Sequence, residues 1–353
     1  MKNFMENILS IKNNDDHKEI TVCKFFKLKF RRNKYVINKM QNDIKKLQTY
    51  AEALKFFIDV SCDITKCKQA SGNYRIVQII RAKGLKILVN ILDNYDIKYW
   101  LEYGTLLGAY RHKGFIPWDD DIDISTDRSS YIKLMDILPK ITEGTELRVT
   151  YGEDGSGFFM KIKLNDFDLV DIFPYDVSDN LTLSNEVLTD KWKILRNEFY
   201  KHFKVEDLRA RKYHIKDTFN LMFDMYREAG ITNSDNIKGG KWLFRGIESC
   251  TRHYEPSFHL ISNIYPLQKT QFEDFMVYVP ANMDAYLNEV DRGIYGDLMA
   301  FPPMQAINVH DDSKYKDTEY LKLINMQLDK IICDFEHGFE YNKFISAESN
   351  FSK

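Results

Sequence analysis

Apolar side chains near the start of the chain return at helical spacing. Ile37, Met40, Ile44, Leu47, Ala51, Leu54 and Ile58 alternate gaps of three and four, an a/d stripe that predicts one long amphipathic helix. A stripe this narrow seats against its copy in a second subunit or against the chain's own body. Gly72-Asn73 ends this extension. Ile76, Ile79, Ile80, Leu88, Ile91 and Leu92 then predict an inward-facing helix from about Arg75 to Asn94. Beyond it the period changes. Ile97 to Leu101 is a mainly apolar run of strand length, and Gly104-Thr105 turn the chain into another helix. Ser129 to Leu138 reads as a short helix stopped by Pro139. Strand-like segments near 147–151 and 158–164 are joined through Gly152, Gly155 and Gly157, and a further strand runs from Asp168 to Phe173. Residues 185–230 and Asp317 to Phe335 are again helical. Alternation of helices and strands predicts an α/β fold.

Composition narrows the picture. The 353 residues, 44% hydrophobic and 14% aromatic, suffice for one enlarged domain with an appendage. No apolar run approaches a membrane span, and Met1 to Ser10 lacks the basic start and apolar stretch of a signal peptide, so a cytoplasmic location is expected. Cys23, Cys62, Cys67, Cys250 and Cys333 are odd in number and include no Cys-x-x-Cys, which argues against a disulfide framework or structural zinc. The net charge of −2 hides an asymmetry. Residues 17–50 hold ten Lys/Arg against Glu19 and Asp43, giving +8 there and −10 elsewhere. A basic arm on an acidic body points to an anionic partner. Within it, Ile20 to Arg32 alternates apolar and basic residues, as a strand or hairpin would, resting either on the protein or on an anionic membrane surface.

The chemistry concentrates between Tyr99 and Ser125. In Asp121-Ile122-Asp123-Ile124 a strand period of two sends both carboxylates to one face and both isoleucines to the other. Side by side, the carboxylates repel unless a cation lies between them, and hard oxygen ligands suit Mg²⁺ or Mn²⁺. A calcium EF-hand is excluded, because Ile124 and Ser130 stand where Gly and Glu are required. Upstream, the helix opened by Gly104-Thr105 turns its free N–H groups toward a phosphate. Arg111, His112 and Lys113 add positive charge.

This stretch, with Gly104-Thr105 set ahead of Trp118-Asp-Asp-Asp-Ile-Asp123, resembles the signature of the LicD-type phosphocholine transferases, a nucleotidyltransferase-fold family related to the fukutin-related ribitol-phosphate transferases. Asp168-Leu-Val-Asp171-Ile-Phe-Pro174 resembles the family's second acidic strand. Phe272-Glu-Asp-Phe275, Tyr286-Leu287, Tyr295-Gly296-Asp297 and Phe301-Pro302-Pro303 resemble its C-terminal block. The resemblance spans about residues 72–325. It implies a nucleotidyltransferase-like mixed sheet flanked by helices, a basic and helical extension over 1–71, a catalytic domain over 72–335 and a polar tail over 336–353.

The implied reaction moves a phospho-alcohol, phosphocholine first, from a cytidine diphosphate-linked donor to a sugar hydroxyl of a lipopolysaccharide, teichoic acid or capsule precursor. Phosphoethanolamine and ribitol phosphate remain open as cargo, and no nucleic acid is expected. Asp121, Asp123 and Asp171 are the implied catalytic and metal-binding set, with Asp171 either a ligand or the base. Asp119 and Asp120 stand in reserve. Gly104, Thr105, Arg111 and Lys113 are placed at the donor phosphates, and Asp297 and His310 near the acceptor. In an alternating strand Asp171 shares a face with Leu169 and Phe173, opposite Val170 and Ile172. Aromatic and cationic residues of 185–230 either hold a choline head or base, or form ordinary core. Two competing readings are an Asp-x-Asp glycosyltransferase, which would not need Gly104-Thr105 in front, and a catalytically idle scaffold, which would not need the carboxylates.

Overall fold

The computed structural model describes residues 9–14, 17–22, 26–30, 34–152, 157–210, 214–232, 237–250, 256, 258–289, 297–299 and 316–337. His310, Phe301-Pro302-Pro303, Tyr295-Gly296 and the tail beyond residue 337 lie outside them. The chain divides into two compact units, Met1–Cys62 and Asp63–Lys353. The first holds an antiparallel meander of β1 (Leu9–Asn14), β2 (His17–Val22) and β3 (Phe26–Phe30), followed by α1 (Lys34–Ser61). The alternation seen from Ile20 is thus a hairpin. On α1 Ile37 is buried, whereas Leu47 and Leu54 of the same stripe are 66% and 60% exposed.

In the second unit the elements run α2 (Gly72–Asn94), β4 (Trp100–Leu101), α3 (Tyr103–His112), β5 (Asp123–Asp127), α4 (Arg128–Thr142), β6 (Leu147–Tyr151), β7 (Met160–Leu164), β8 (Phe167–Ser178), α5 (Asn185–His202), α6 (Val205–Arg209) and α7 (Ile215–Glu228). They continue with β9 (Trp242–Arg245), β10 (Phe258–Leu260), β11 (Gln268–Phe272), β12 (Phe275–Val279), α8 (Met283–Glu289) and α9 (Thr318–His337). Seven strands form one mixed sheet in the order β10-β9-β8-β5-β4, with β7 also on β8 and β6 on β7. β5 and β8 run parallel; every other pairing in this sheet is antiparallel. The expected α/β class and flanking helices are present. Among the described residues no helix is long and apolar enough to cross a membrane.

Two local expectations fail for identifiable reasons. Pro139 does not stop α4, which continues to Thr142 because Ile141 is 5% exposed in the core and its burial outweighs the missing backbone bond. Strict alternation in β8 also breaks. Ile162 pairs with Val170 but Lys163 with Asp168, so Leu169 is an extra, bulged residue and does not keep the face of Asp171. Directly paired residues share a side of the sheet. The bulge therefore brings Asp168 to the side of Asp171, opposite Lys163 and Lys161.

α2 packs on β8 so closely that a Cβ on Gly84 would lie 2.8 Å from Leu169 Cβ. Its apolar positions Val77, Ile80, Leu85, Leu88 and Leu92 fill the core, although Ile79, expected inward, is 37% exposed. Among the described aromatic residues of the 185–230 region, Trp192, Phe199 and Tyr226 are fully buried in the core.

Candidate functional site

The site forms where α3, the loop 113–122 and the paired strands β5 and β8 meet. Parallel register places Asp123 beside Asp171. Ile122 and Ile124 are buried at 2% and 0%, so alternation delivers Asp121 and Asp123 to the opposite side, as the sequence pattern implied. The loop must return across α3 to reach β5. A Cβ at Gly108 would lie 2.4 Å from the carbonyl of Gly114, so glycine is required at that crossing.

α3 begins in strain. Tyr103 has φ 44°, in the left-handed region, and Gly104 follows under the Asp119 carboxylate. A Cβ at Gly104 would sit 2.1 Å from Asp119 Oδ2. Thr105 spends its hydroxyl on the acidic strand, accepting from Asp123 N at 2.9 Å and donating to the Asp121 carbonyl at 3.2 Å. It thus positions both metal-candidate aspartates. Glu102 N donates to the Asp123 carbonyl, and Glu102 Oε2 accepts from Ser125 Oγ and Tyr286 OH at 2.6 Å each.

Arg111 and Lys113 lie at the far end of α3, roughly 10 Å along its axis from Gly104 at 1.5 Å per residue. Arg111 is buried and donates to the Leu298 carbonyl at 3.1 Å, while Lys113 ends the helix with φ 57°. His112 packs edge-on to Trp118, and burial with Arg111 beside it lowers its pKa to about 4. It is neutral at pH 7 and adds no positive charge. Asp297 is exposed and accepts from Met299 N at 2.9 Å.

A row of polar side chains on α2 grips the acidic loop. Gln78, 1% exposed, donates to the carbonyls of Ile116 and Asp119 at 3.2 and 2.8 Å. One turn earlier, Arg75 pairs with Glu273, whose carboxylate accepts from Phe115 N. One turn later, Arg81 binds the Asp120 carbonyl and the Asp121 carboxylate. Sequence reasoning missed all three, although polar residues at spacings of three in an otherwise apolar helix were the available signal.

Burial, and then crowding of like charge, shifts the acids. Asp119 rises to about 7, chiefly through burial and then through Asp121. Asp171 rises to about 6 through burial, opposed by Lys161. Asp123 is pushed well above the usual carboxylate range by burial and then by Asp171, Asp121 and Asp119, with Arg245 opposing. Arg245 stands behind Asp123 with its guanidinium 3.9 Å over the Phe173 ring and a 2.6 Å bond to Tyr103 OH. Among the described residues, oxygens of Asp119, Asp120 and Asp121 converge within 4.8 Å of one another. Asp121 thus belongs both to this cluster and to the set expected from sequence. Hard oxygen donors, mutually repelling and partly withdrawn from water, fit a divalent cation such as Mg²⁺ or Mn²⁺.

Comparison with known proteins agrees with this location. Residues 96–214 match the family described as LicD/FKTN/FKRP, nucleotidyltransferase domain. Lipopolysaccharide cholinephosphotransferase LicD of Haemophilus influenzae is 50% identical over 58 residues, covering 14% of this chain and 22% of its own. An uncharacterised protein of Rickettsia prowazekii is 51% identical over 53 residues, 15% of this chain and 20% of its own. Human ribitol 5-phosphate transferase FKRP is 49% identical over 39 residues, 11% and 8% of the two chains. The aligned stretches thus span about a fifth or less of these curated relatives. The acidic strand pair and the start of α3 thus lie within residues 96–214, the third of the chain that is similar to the LicD/FKTN/FKRP nucleotidyltransferase domain.

Proposed function

We propose that this protein is a metal-dependent transferase that moves a phospho-alcohol, phosphocholine first, from a cytidine diphosphate-linked donor to a sugar hydroxyl of a cell-surface glycan precursor. The observation that carries the reading is the meeting of Asp123 and Asp171 on adjacent parallel strands, with Asp121 beside them and the N-terminus of α3 in front. Asp121, Asp123 and Asp171 are the residues that would hold Mg²⁺ or Mn²⁺, with Asp119 and Asp120 at its edge. The ion would offset the pyrophosphate charge and polarise it toward attack. In its alternative role, free of the ion, Asp171 at about 6 would accept a proton from the acceptor hydroxyl near neutral pH. The first turn of α3 would offer backbone N–H groups to a donor phosphate, Gly104 leaves room for the Asp119 carboxylate, and Thr105 fixes the spacing of Asp121 and Asp123.

Residues 72–335 are taken as the catalytic domain. The +8 segment is proposed to rest on an anionic membrane surface; unchanged sedimentation with anionic vesicles after deletion of 1–33 would remove that idea.

The decisive experiment screens cytidine diphosphate-linked choline, ethanolamine and ribitol for release of cytidine monophosphate with a glycan precursor as acceptor. Asp121→Asn and Asp123→Asn should each lower turnover 10²-fold or more while the protein stays folded, since loss of one metal-holding carboxylate misplaces the reacting phosphate. Near-full activity of either variant at limiting Mg²⁺, or transfer of a sugar in place of a phosphodiester, would refute the assignment.

A further inference from the structure

The acidic pocket carries internal cations before any metal arrives. Lys161 reaches across from β7 with Nζ 2.9 Å from Asp171 Oδ2, its side chain only 10% exposed, and lies 5.2 Å from the Phe159 ring centroid. On the opposite wall Arg81 binds Asp121. Both cations line one pocket with Asp121, Asp168 and Asp171. The oxygens they hold are those a divalent ion would take, so cation and metal compete for them. The two differ in freedom. Arg81 also holds the Asp120 carbonyl and so belongs to the framework of the loop. Lys161 carries a point charge on a four-carbon stem that can swing by a change of rotamer. A dication on Asp171 would repel an ammonium 2.9 Å from that carboxylate, and an anionic phosphate entering the same pocket is the nearest new partner.

We propose that Lys161 is an exchangeable counter-ion. It holds Asp171 while no metal is bound, and moves to a phosphate oxygen of the donor when a divalent ion takes that carboxylate. The proposal rests on the reading of Asp171 as a metal ligand. Lys163 provides the contrast: it pairs with Asp168 at 3.1 Å, and that carboxylate is 44% exposed.

The test uses calorimetry on the full-length protein, with Mn²⁺ alone and then inorganic pyrophosphate in the presence of Mn²⁺. Lys161→Gln should bind Mn²⁺ at least about threefold more tightly, because its competitor is gone, and bind pyrophosphate about tenfold or more weakly, the scale of one charge-assisted hydrogen bond. Lys161→Arg should recover pyrophosphate binding, and Lys163→Gln should change neither constant. A merely structural Lys161 would instead leave Asp171 misplaced, so equal or weaker Mn²⁺ binding by Lys161→Gln overturns the proposal, as does unchanged pyrophosphate binding. Should Lys161→Gln fail to fold, Lys161→Met, which keeps an unbranched side chain without the charge, gives the same readouts. Unmodified protein that bound no Mn²⁺ would remove the metal reading itself, a result distinct from failure of the exchange alone.

Discussion

Asp119 is the residue at which charge crowding is most open to measurement. Its carboxylate lies over Gly104 at the start of α3, next to Asp121, and its pKa rises from the ordinary 3.8 to about 7. A raised carboxylate pKa means that the folded state binds the proton more tightly than the unfolded chain. The metal-free protein should therefore lose stability as pH rises from about 4 to about 7, and no further above that from this group. Three units correspond to about 4 kcal/mol at most, at 1.36 kcal/mol per unit. At pH 5 the same group costs under about 2 kcal/mol, because ionisation of the unfolded chain has only begun to separate the two states.

Asp119→Asn keeps the volume and an oxygen to accept from Asp121 N, a 3.4 Å contact, while removing the charge. In chelator the variant should be more stable than the parent, by up to about 4 kcal/mol at pH 7.5 and by less at pH 5. For a unit of this size that is a rise in Tm of roughly 6 °C. Urea unfolding at the two pH values, repeated with Mg²⁺, is the assay. Magnesium should narrow the gap at pH 7.5 by stabilising the parent more than the variant. A variant no more stable than its parent at pH 7.5, or a gap of equal size at both pH values, would refute the reasoning.

Arg128, 3% exposed, bridges buried Asp176 and Glu248, so Arg128→Met should strand two carboxylates and lower stability by about 3–5 kcal/mol in urea unfolding. A loss below about 1 kcal/mol would show that the two acids accept protons in its place. The exposed stripe of α1 is proposed to pair with its copy in a second subunit. Leu47→Asp with Leu54→Asp should split that dimer in light scattering without altering Mg²⁺ affinity, and a monomeric parent at tens of micromolar would dismiss the pairing.

Local pattern carried a large part of this fold. α1 and α2 follow from apolar spacing, and Asp121 and Asp123 alternate with the buried Ile122 and Ile124 as the strand period announces, Asp123 opening β5. What sequence could not disclose depends on distance along the chain. Lys161, Arg245 and Gln78 reach the site from β7, β9 and α2, and no short-range rule connects them to residue 121. The Leu169 bulge was invisible for a related reason. An extra residue in β8 is recognisable only against the register of β7, and it is what turns Asp168 toward Asp171. Pro139 was misread because a local prohibition was weighed without the burial of Ile141 that overrides it.

The same distant contacts explain how a cluster of mutually repelling acids stays in place. Asp119, Asp123 and Asp171 are all displaced toward protonation, which is an energetic load on the metal-free fold. The loop that carries Asp119 to Asp121 would relieve it by swinging outward. Outward motion is opposed at three points on one helix face: Arg75 through Glu273, Gln78 through two loop carbonyls, and Arg81 through Asp120 and Asp121. Thr105 pins the other side of the loop by bonding both Asp121 and Asp123 along the backbone. These contacts fall mainly on the backbone, with the carboxylates of Asp120 and Asp121 facing Arg81. A cation bound among these acids would remove the repulsion that the clamp withstands.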